Sequence, residues 1–290
     1  MNPETEFDLR TISNSDQPDA TLGMIELVIS SDFNEDWTWV VVEGTDDVEI
    51  YERLFDYNKA IVCPSLDEEG RCGCSNVEEI VETILNGYNF YRIIGLRDAD
   101  YTPYDENYVV PQNIFLTDCH DIEIQMLENN RVIEGLETKK SGIKCSLQNA
   151  YSVMREVAYL RAYSLSIQGG FNFSGYVKCS NFWNQDEKKM VIGWKKKLFD
   201  SFFATEAADY GHAPTICDLN KYVKDKNLEN EPSWKICQGH DVVNFLHWTG
   251  SATDLYKQFI ELYNNEAFAV SEMYGLISQW ERNNGVKILL

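Results

Sequence analysis

The sequence predicts an α/β fold built on a mostly parallel sheet flanked by helices, and three observations predict it. Short β-branched and aromatic runs alternate with amphipathic helical stretches from residue 38 to about residue 130, the pattern of βαβ units. The runs are apolar throughout rather than alternating, as expected of strands covered on both faces. Acidic residues follow directly on two of these runs, and such sheets bind ligands at the carboxyl ends of their strands.

Taken in order, residues 1–37 form an acidic lead-in, with one apolar segment at 22–29 that suits a short helix or strand. The run 38–42 reads as the first strand. Asp46 or Asp47 then opens a helix, because carboxylates favour helix N-termini; Val48, Tyr51 and Phe55 recur on it at helical spacing. Gly44 is expected to let the backbone turn sharply between strand and helix. Residues 60–63 read as a second strand and 66–76 as a loop of acids, Gly and Cys. Val77, Ile80, Val81, Ile84 and Leu85 line one helical face. Strands follow at 91–96 and 113–116, then a helix at 122–127 with Thr117 or Asp118 as its expected cap.

The alternation stops after residue 130. Leu147, Tyr151, Met154 and Ala158 share a helical face, residues 169–179 read as irregular or β structure, and further helices are expected around Leu198, Leu219, 242–248, 255–263 and 271–280. The expected division is therefore a lead-in at 1–37, a sheet core at 38–130 and a mainly helical C-terminal region at 131–290.

Composition narrows the function classes. At 290 residues and 44% hydrophobic, the chain can bury a sizeable core. No stretch approaches the ~20 apolar residues that cross a bilayer, and the first residues lack the basic start and apolar run of a signal peptide; a cytoplasmic protein with no membrane role is expected. The eight cysteines are irregularly spaced and do not suggest a disulfide framework. Cys63, Cys72 and Cys74 come nearest to a metal cluster, but the Cys72-Gly73-Cys74 gap is short for a zinc knuckle, which favours buried or loop thiols. The net charge of −22, from 47 acidic and 25 basic residues, opposes free binding to nucleic acid, which draws affinity from Lys and Arg.

Candidate chemistry centres on the acids. Glu43 and Asp47 follow the first strand, and Asp98 and Asp100 follow the third. Residues i and i+2 of a strand point the same way, so Asp98 and Asp100 can aim at one point, with Glu43 leaving the neighbouring strand at the same end. Crowded carboxylates raise one another's ionisation cost unless a cation neutralises them. Oxygen donors suit magnesium or manganese. His120 and Glu123, three apart on a predicted helix, can share a face, as an active-site acid with a phosphate contact or as part of a capping network with Asp118 and Asp121. In Gly239-His240-Asp241, His240 can reach phosphate or the metal site, whereas Asp241 is expected to cap the helix that follows. Lys188, Lys189, Lys195, Lys196 and Lys197 are the only basic concentration; it can track a phosphate backbone or form a solvated face, with Trp183 and Trp194 interleaved as stacking platforms or buried anchors.

The run Glu43-Gly44-x-x-Asp47 followed by Asp98-x-Asp100 resembles the TOPRIM domain of topoisomerases, primases and OLD-type nucleases, over roughly residues 40–127. Together with Asp98-Ala99-Asp100-Tyr101, His120-Asp121-Ile122-Glu123 and Gly239-His240-Asp241, it is similar to a bacterial group of TOPRIM proteins encoded beside, or fused to, an ABC-type ATPase in phage defence. The resemblance implies a TOPRIM-like sheet core with a helical extension. It further implies an endonuclease using Mg2+ or Mn2+, toxic when released by an ATPase partner, and compatible with a homodimer in the active state. By position Glu43, Asp98 and Asp100 would be metal ligands, Asp47 would serve a second metal or its water, and Glu123 would be a further carboxylate of the site. OLD-type nucleases also use a distal lysine, for which Lys178 and Lys235 are candidates. DNA, transfer RNA and other RNA all remain open as substrates. The alternatives are a catalytically degenerate TOPRIM subunit that docks on the ATPase and, ranking lower, nucleotidyl transfer of the primase kind.

Overall fold

Buried apolar runs build the sheet. In the computed structural model, which describes residues 21–31, 37–105, 107–167, 183–184, 186–187, 189–203, 215–250 and 255–290, β1 is Thr38–Val42, β2 is Ala60–Pro64, β3 is Ile93–Arg97 and β4 is Ile114–Leu116. Every residue of β1, β2 and β3 is buried. The four strands lie in the order β2-β1-β3-β4, all parallel. The fold is therefore α/β, with a parallel sheet, flanking helices and a helical C-terminal part.

The chain divides into two compact units, one of Met1–Asp98, Val109–Asp118 and Asn264–Leu290, the other of Ala99–Tyr108 and Cys119–Tyr263. These limits differ from a core at 38–130 and a C-terminal region at 131–290. The last segment belongs with the sheet because its helix packs against β4.

In the first unit, α1 (Thr21–Ile29) precedes β1, α2 (Thr45–Tyr51) joins β1 to β2, and α3 (Cys74–Tyr88) joins β2 to β3. Val77, Ile80, Val81, Ile84 and Leu85 of α3 meet Trp39, Val41, Ile61, Ile93 and Ile114 of the sheet, together with Ile25 and Val28 of α1. Gly95 lets α3 and β4 close on β3. A Cβ there would stand 2.5 Å from Ile114 Cδ1 and 2.6 Å from Val77 Cγ1.

The C-terminal helix of this unit spans Glu272–Asn284. Ser271 caps it, and Asp118 accepts from the Glu272 N–H at 2.7 Å and the Met273 N–H at 2.9 Å. Asp118 therefore does not cap the helix that follows it in sequence, as its spacing predicts; its carboxylate answers a helix N-terminus far along the chain. Beyond that helix, Glu281 Oε1 accepts from the Ile288 and Leu289 N–H groups at 2.6 and 2.7 Å, and the Asp56 N–H donates to the Ile288 carbonyl at 2.7 Å. Asp118→Ala removes two acceptors from a helix start and is expected to cost about 1–2 kcal/mol, read as a shifted denaturant midpoint with an unchanged slope.

The second unit is helical. Its described α-helices are α4 (Ile122–Glu128), α5 (Asn130–Lys139), α6 (Ile143–Ser166), α7 (Trp194–Phe203), α8 (Ile216–Asp225), α9 (Ser233–Ile236), α10 (Gly239–Trp248) and α11 (Leu255–Leu262), with a two-stranded antiparallel ribbon, Trp183–Asn184 and Lys189–Met190. The long α6 packs against α8, α9 and α10. Its Arg155 donates to the carbonyls of Leu228 and Glu229, each at 2.9 Å, and to Ser233 Oγ at 3.1 Å. One guanidinium thus ties α6 to the segment that leads into α9. Among the described residues, no helix is long and apolar enough to cross a membrane.

Candidate functional site

Strand order singles out one end of the sheet in the first unit. The chain runs from β1 to β2 on one side and places β3 on the other. The crevice between β1 and β3 is therefore the topological switch point, where parallel sheets bind their ligands. Val42 pairs with Leu96, so Glu43 and Asp98 leave adjacent strands at the same end. The Asp98 N–H donates to Glu43 Oε1 at 2.9 Å, which brings these two predicted residues together.

Asp47 has a different immediate contact. Its Oδ2 accepts from the Gly44 N–H at 2.8 Å, fastening the first turn of α2. Gly44 itself is extended, at φ −127° and ψ 168°. The turn there does not use the left-handed freedom of glycine; a Cβ would meet Asp47 Oδ2 at an ordinary 3.4 Å.

Arg97 is the feature that pattern reading passed over. It ends β3 with its side chain 5% exposed, pairs with Glu78 of α3, and holds Nε 3.9 Å from Glu43 Oε1. A cation inside an apolar strand, directly before an aspartate, was the signal available. Glu43 is 19% exposed, so water can reach it.

The three other motif segments converge in the second unit. Asp100 has a positive φ of 47°, and its N–H donates to the His120 carbonyl at 2.7 Å. His120 is buried, with Nδ1 3.2 Å from Asp121 Oδ2 and 3.9 Å from Asp100 Oδ1, and the Tyr101 ring meets it edge-on with centroids 4.9 Å apart. Burial lowers the His120 pKa, but the Asp121 and Asp100 carboxylates outweigh it and the net direction is up.

Asp121, not Thr117 or Asp118, is the N-cap of α4. It accepts from the Ile124 N–H at 2.9 Å and from the Gly239 N–H at 2.5 Å. Glu123 is buried and meets His240. Asp241, expected as a helix cap, instead takes a two-pronged pair from Arg161 of α6, at 2.8 and 3.0 Å. Neither partner's position in sequence announces this pair.

Of the predicted basic residues, Lys178 and Lys188 lie outside the described residues. Lys189 Nζ lies 3.1 Å from Glu187, Lys196 Nζ lies 2.6 Å from Asp200, and Lys195 pairs with Glu156. Lys235 lies 3.8 Å from Glu231 and 5.4 Å from the Trp234 ring centre. Trp183 packs edge-on against Phe245 at 5.3 Å. Cys63 is buried in β2, where burial pushes its thiol up to about 12. Cys72 is exposed and Cys74 half-buried.

Among the described residues, no group of three or more His, Cys, Asp or Glu side chains is arranged to hold a metal ion. The donors at the switch point are carboxylate oxygens. They fit a magnesium-like ion, which takes one or two carboxylates and completes its shell with water and substrate phosphate; they do not make a cage from protein alone. No protein-family model matches the chain, and no curated protein matches its sequence.

Proposed function

We propose that this chain is a metal-dependent phosphodiesterase of the TOPRIM kind that cuts nucleic acid, acting as a toxic effector in phage defence under an ABC-type ATPase partner. The single observation that carries the catalytic part is the meeting of Glu43 and Asp98 at the switch point of a parallel sheet. The defence role and the partner rest on the motif resemblance.

Glu43 and Asp98 are the residues of the first unit that would hold Mg2+ or Mn2+. When bound, the ion would supply Lewis-acid polarisation of a phosphoryl oxygen and a water acidified toward neutral pH. Glu43 is oriented by the Asp98 N–H, and Arg97 offsets part of its charge. Asp47 fixes the start of α2, which follows Glu43 directly. The net charge of −22 repels nucleic acid from the isolated chain, a restraint that a basic partner surface would relieve.

The test is cleavage of DNA, transfer RNA and other RNA by the purified chain, with and without a co-expressed ATPase encoded beside it. Activity is expected with Mg2+ or Mn2+, lost on adding EDTA and restored by returning the metal. No cleavage of any substrate under any of these conditions sinks the proposal.

One observation favours a second reading, a degenerate regulatory subunit. Arg97 places a resident positive charge 3.9 Å from Glu43. On this reading the guanidinium stands in place of a cation. Titration calorimetry separates the two, because the regulatory subunit would take up neither metal.

A further inference from the structure

Arg97 is a buried cation placed between a helix carboxylate and a strand carboxylate, all within the first unit. Gly95 and Arg97, two apart on β3, face the same way. A Cβ on Gly95 would stand 2.6 Å from Val77 Cγ1 and 3.1 Å from Val81 Cγ2 of α3, so Arg97 leaves β3 on the side that α3 covers. Glu78, the residue after Val77, pairs there with Arg97 Nη1. Across the ladder Val42 pairs with Leu96. The next residues, Glu43 and Arg97, therefore stand at one level of adjacent strands, with Nε 3.9 Å from Glu43 Oε1.

The two carboxylates compete for one charge. A guanidinium keeps its proton throughout the physiological pH range, and one that is 5% exposed must be answered by an anion. Glu78 answers it in direct contact, whereas Glu43 stands about an ångström beyond the length of a charge-assisted hydrogen bond. The helix has its own anchorage, because Val77, Ile80, Val81, Ile84 and Leu85 bury α3 on the sheet. What the pair decides is where the guanidinium points. Turned onto Glu43, it would occupy the carboxylate oxygens that a metal ion needs, since arginine takes a carboxylate by both oxygens at once.

We infer that Glu78 is a positioning residue of the proposed metal site: by drawing Arg97 toward α3, it keeps the Glu43 carboxylate open to a divalent cation. The inference rests on the reading of Glu43 and Asp98 as the residues that hold the ion. It concerns affinity for the ion and no step of the reaction. Without the Glu78 charge, Arg97 turns to Glu43, and an internal ion pair takes the place of the metal. Without Arg97, Glu78 no longer acts on Glu43, and its own loss matters little.

The test is a cycle of variants on the full chain, with bound Mn2+ read from the loss of the free ion's electron paramagnetic resonance signal. The ion counted is the one that Glu43→Gln abolishes, which sets aside Mn2+ held elsewhere on an acidic surface. Glu78→Gln is expected to weaken its binding about tenfold or more, the scale on which groups of one network couple. In an Arg97→Met background the same substitution is expected to change the affinity by less than about threefold. The plain loss of one nearby negative charge would instead weaken binding equally in both backgrounds. Equal losses, or no loss from Glu78→Gln with Arg97 in place, overturn the inference and leave metal binding standing. A wild-type chain that takes up no such ion overturns the metal site and this inference with it. Should Arg97→Met fail to fold, a crystal structure of Glu78→Gln decides the matter. A guanidinium in hydrogen-bond contact with Glu43 is expected; one still 3.9 Å away or farther overturns the inference.

Discussion

Replacing Glu43 with Gln is expected to remove metal-dependent cleavage, by on the order of a hundredfold or more, the scale on which single groups act in reaction centres. The substitution changes charge and little else. Gln keeps a side-chain oxygen able to accept the Asp98 N–H, now at 2.9 Å from Glu43, and it keeps the volume at the end of β1. Arg97 retains Glu78 as its partner, so no guanidinium is stranded. Stability should therefore shift by less than about 1 kcal/mol, which separates loss of chemistry from loss of fold. Metal titration should lose its heat in the same variant. Asp98→Asn should act through the same ion, and the double variant should lose little more than either single one, as groups in one network do. Cleavage unchanged in Glu43→Gln would sink the assignment of the site, however well the protein binds nucleic acid.

The sheet was legible because its signals are local and strong. A strand covered on both faces must be apolar at every position, and β1, β2 and β3 are buried at every position. The helix between β2 and β3 was equally plain. Val77, Ile80, Val81, Ile84 and Leu85 recur at the spacing of one face, and all five are buried. From these elements the carboxyl ends of the strands followed, and with them the adjacency of Glu43 and Asp98.

What escaped the sequence was long-range. A carboxylate caps whichever helix start reaches it, and spacing reports only the nearest. Asp118 lies four residues before Ile122 but serves Glu272 and Met273, while Asp121 serves α4 and Gly239 together. Gly44 looked like a steric hinge but has an extended backbone. Arg161 was invisible for the same reason. A buried guanidinium is defined by the partner that neutralises it, and the partner of Arg161 is far along the chain.

Arg161→Met is expected to give the largest loss of stability in the second unit. Arg161 and Asp241 are 13% and 4% exposed, joined by hydrogen bonds of 2.8 and 3.0 Å. Removing the cation leaves the Asp241 carboxylate buried without its counter-charge, which typically costs about 3–5 kcal/mol and corresponds to a melting point lower by roughly 10 °C for a unit of this size. Converting Asp241 to Leu in the same chain should recover much of that loss, because an apolar pair carries no desolvation penalty. The recovery concerns fold alone. A single variant that melts like wild type would show that Asp241 draws its compensation from elsewhere, and the ion pair would lose its place in the account of how α10 is held.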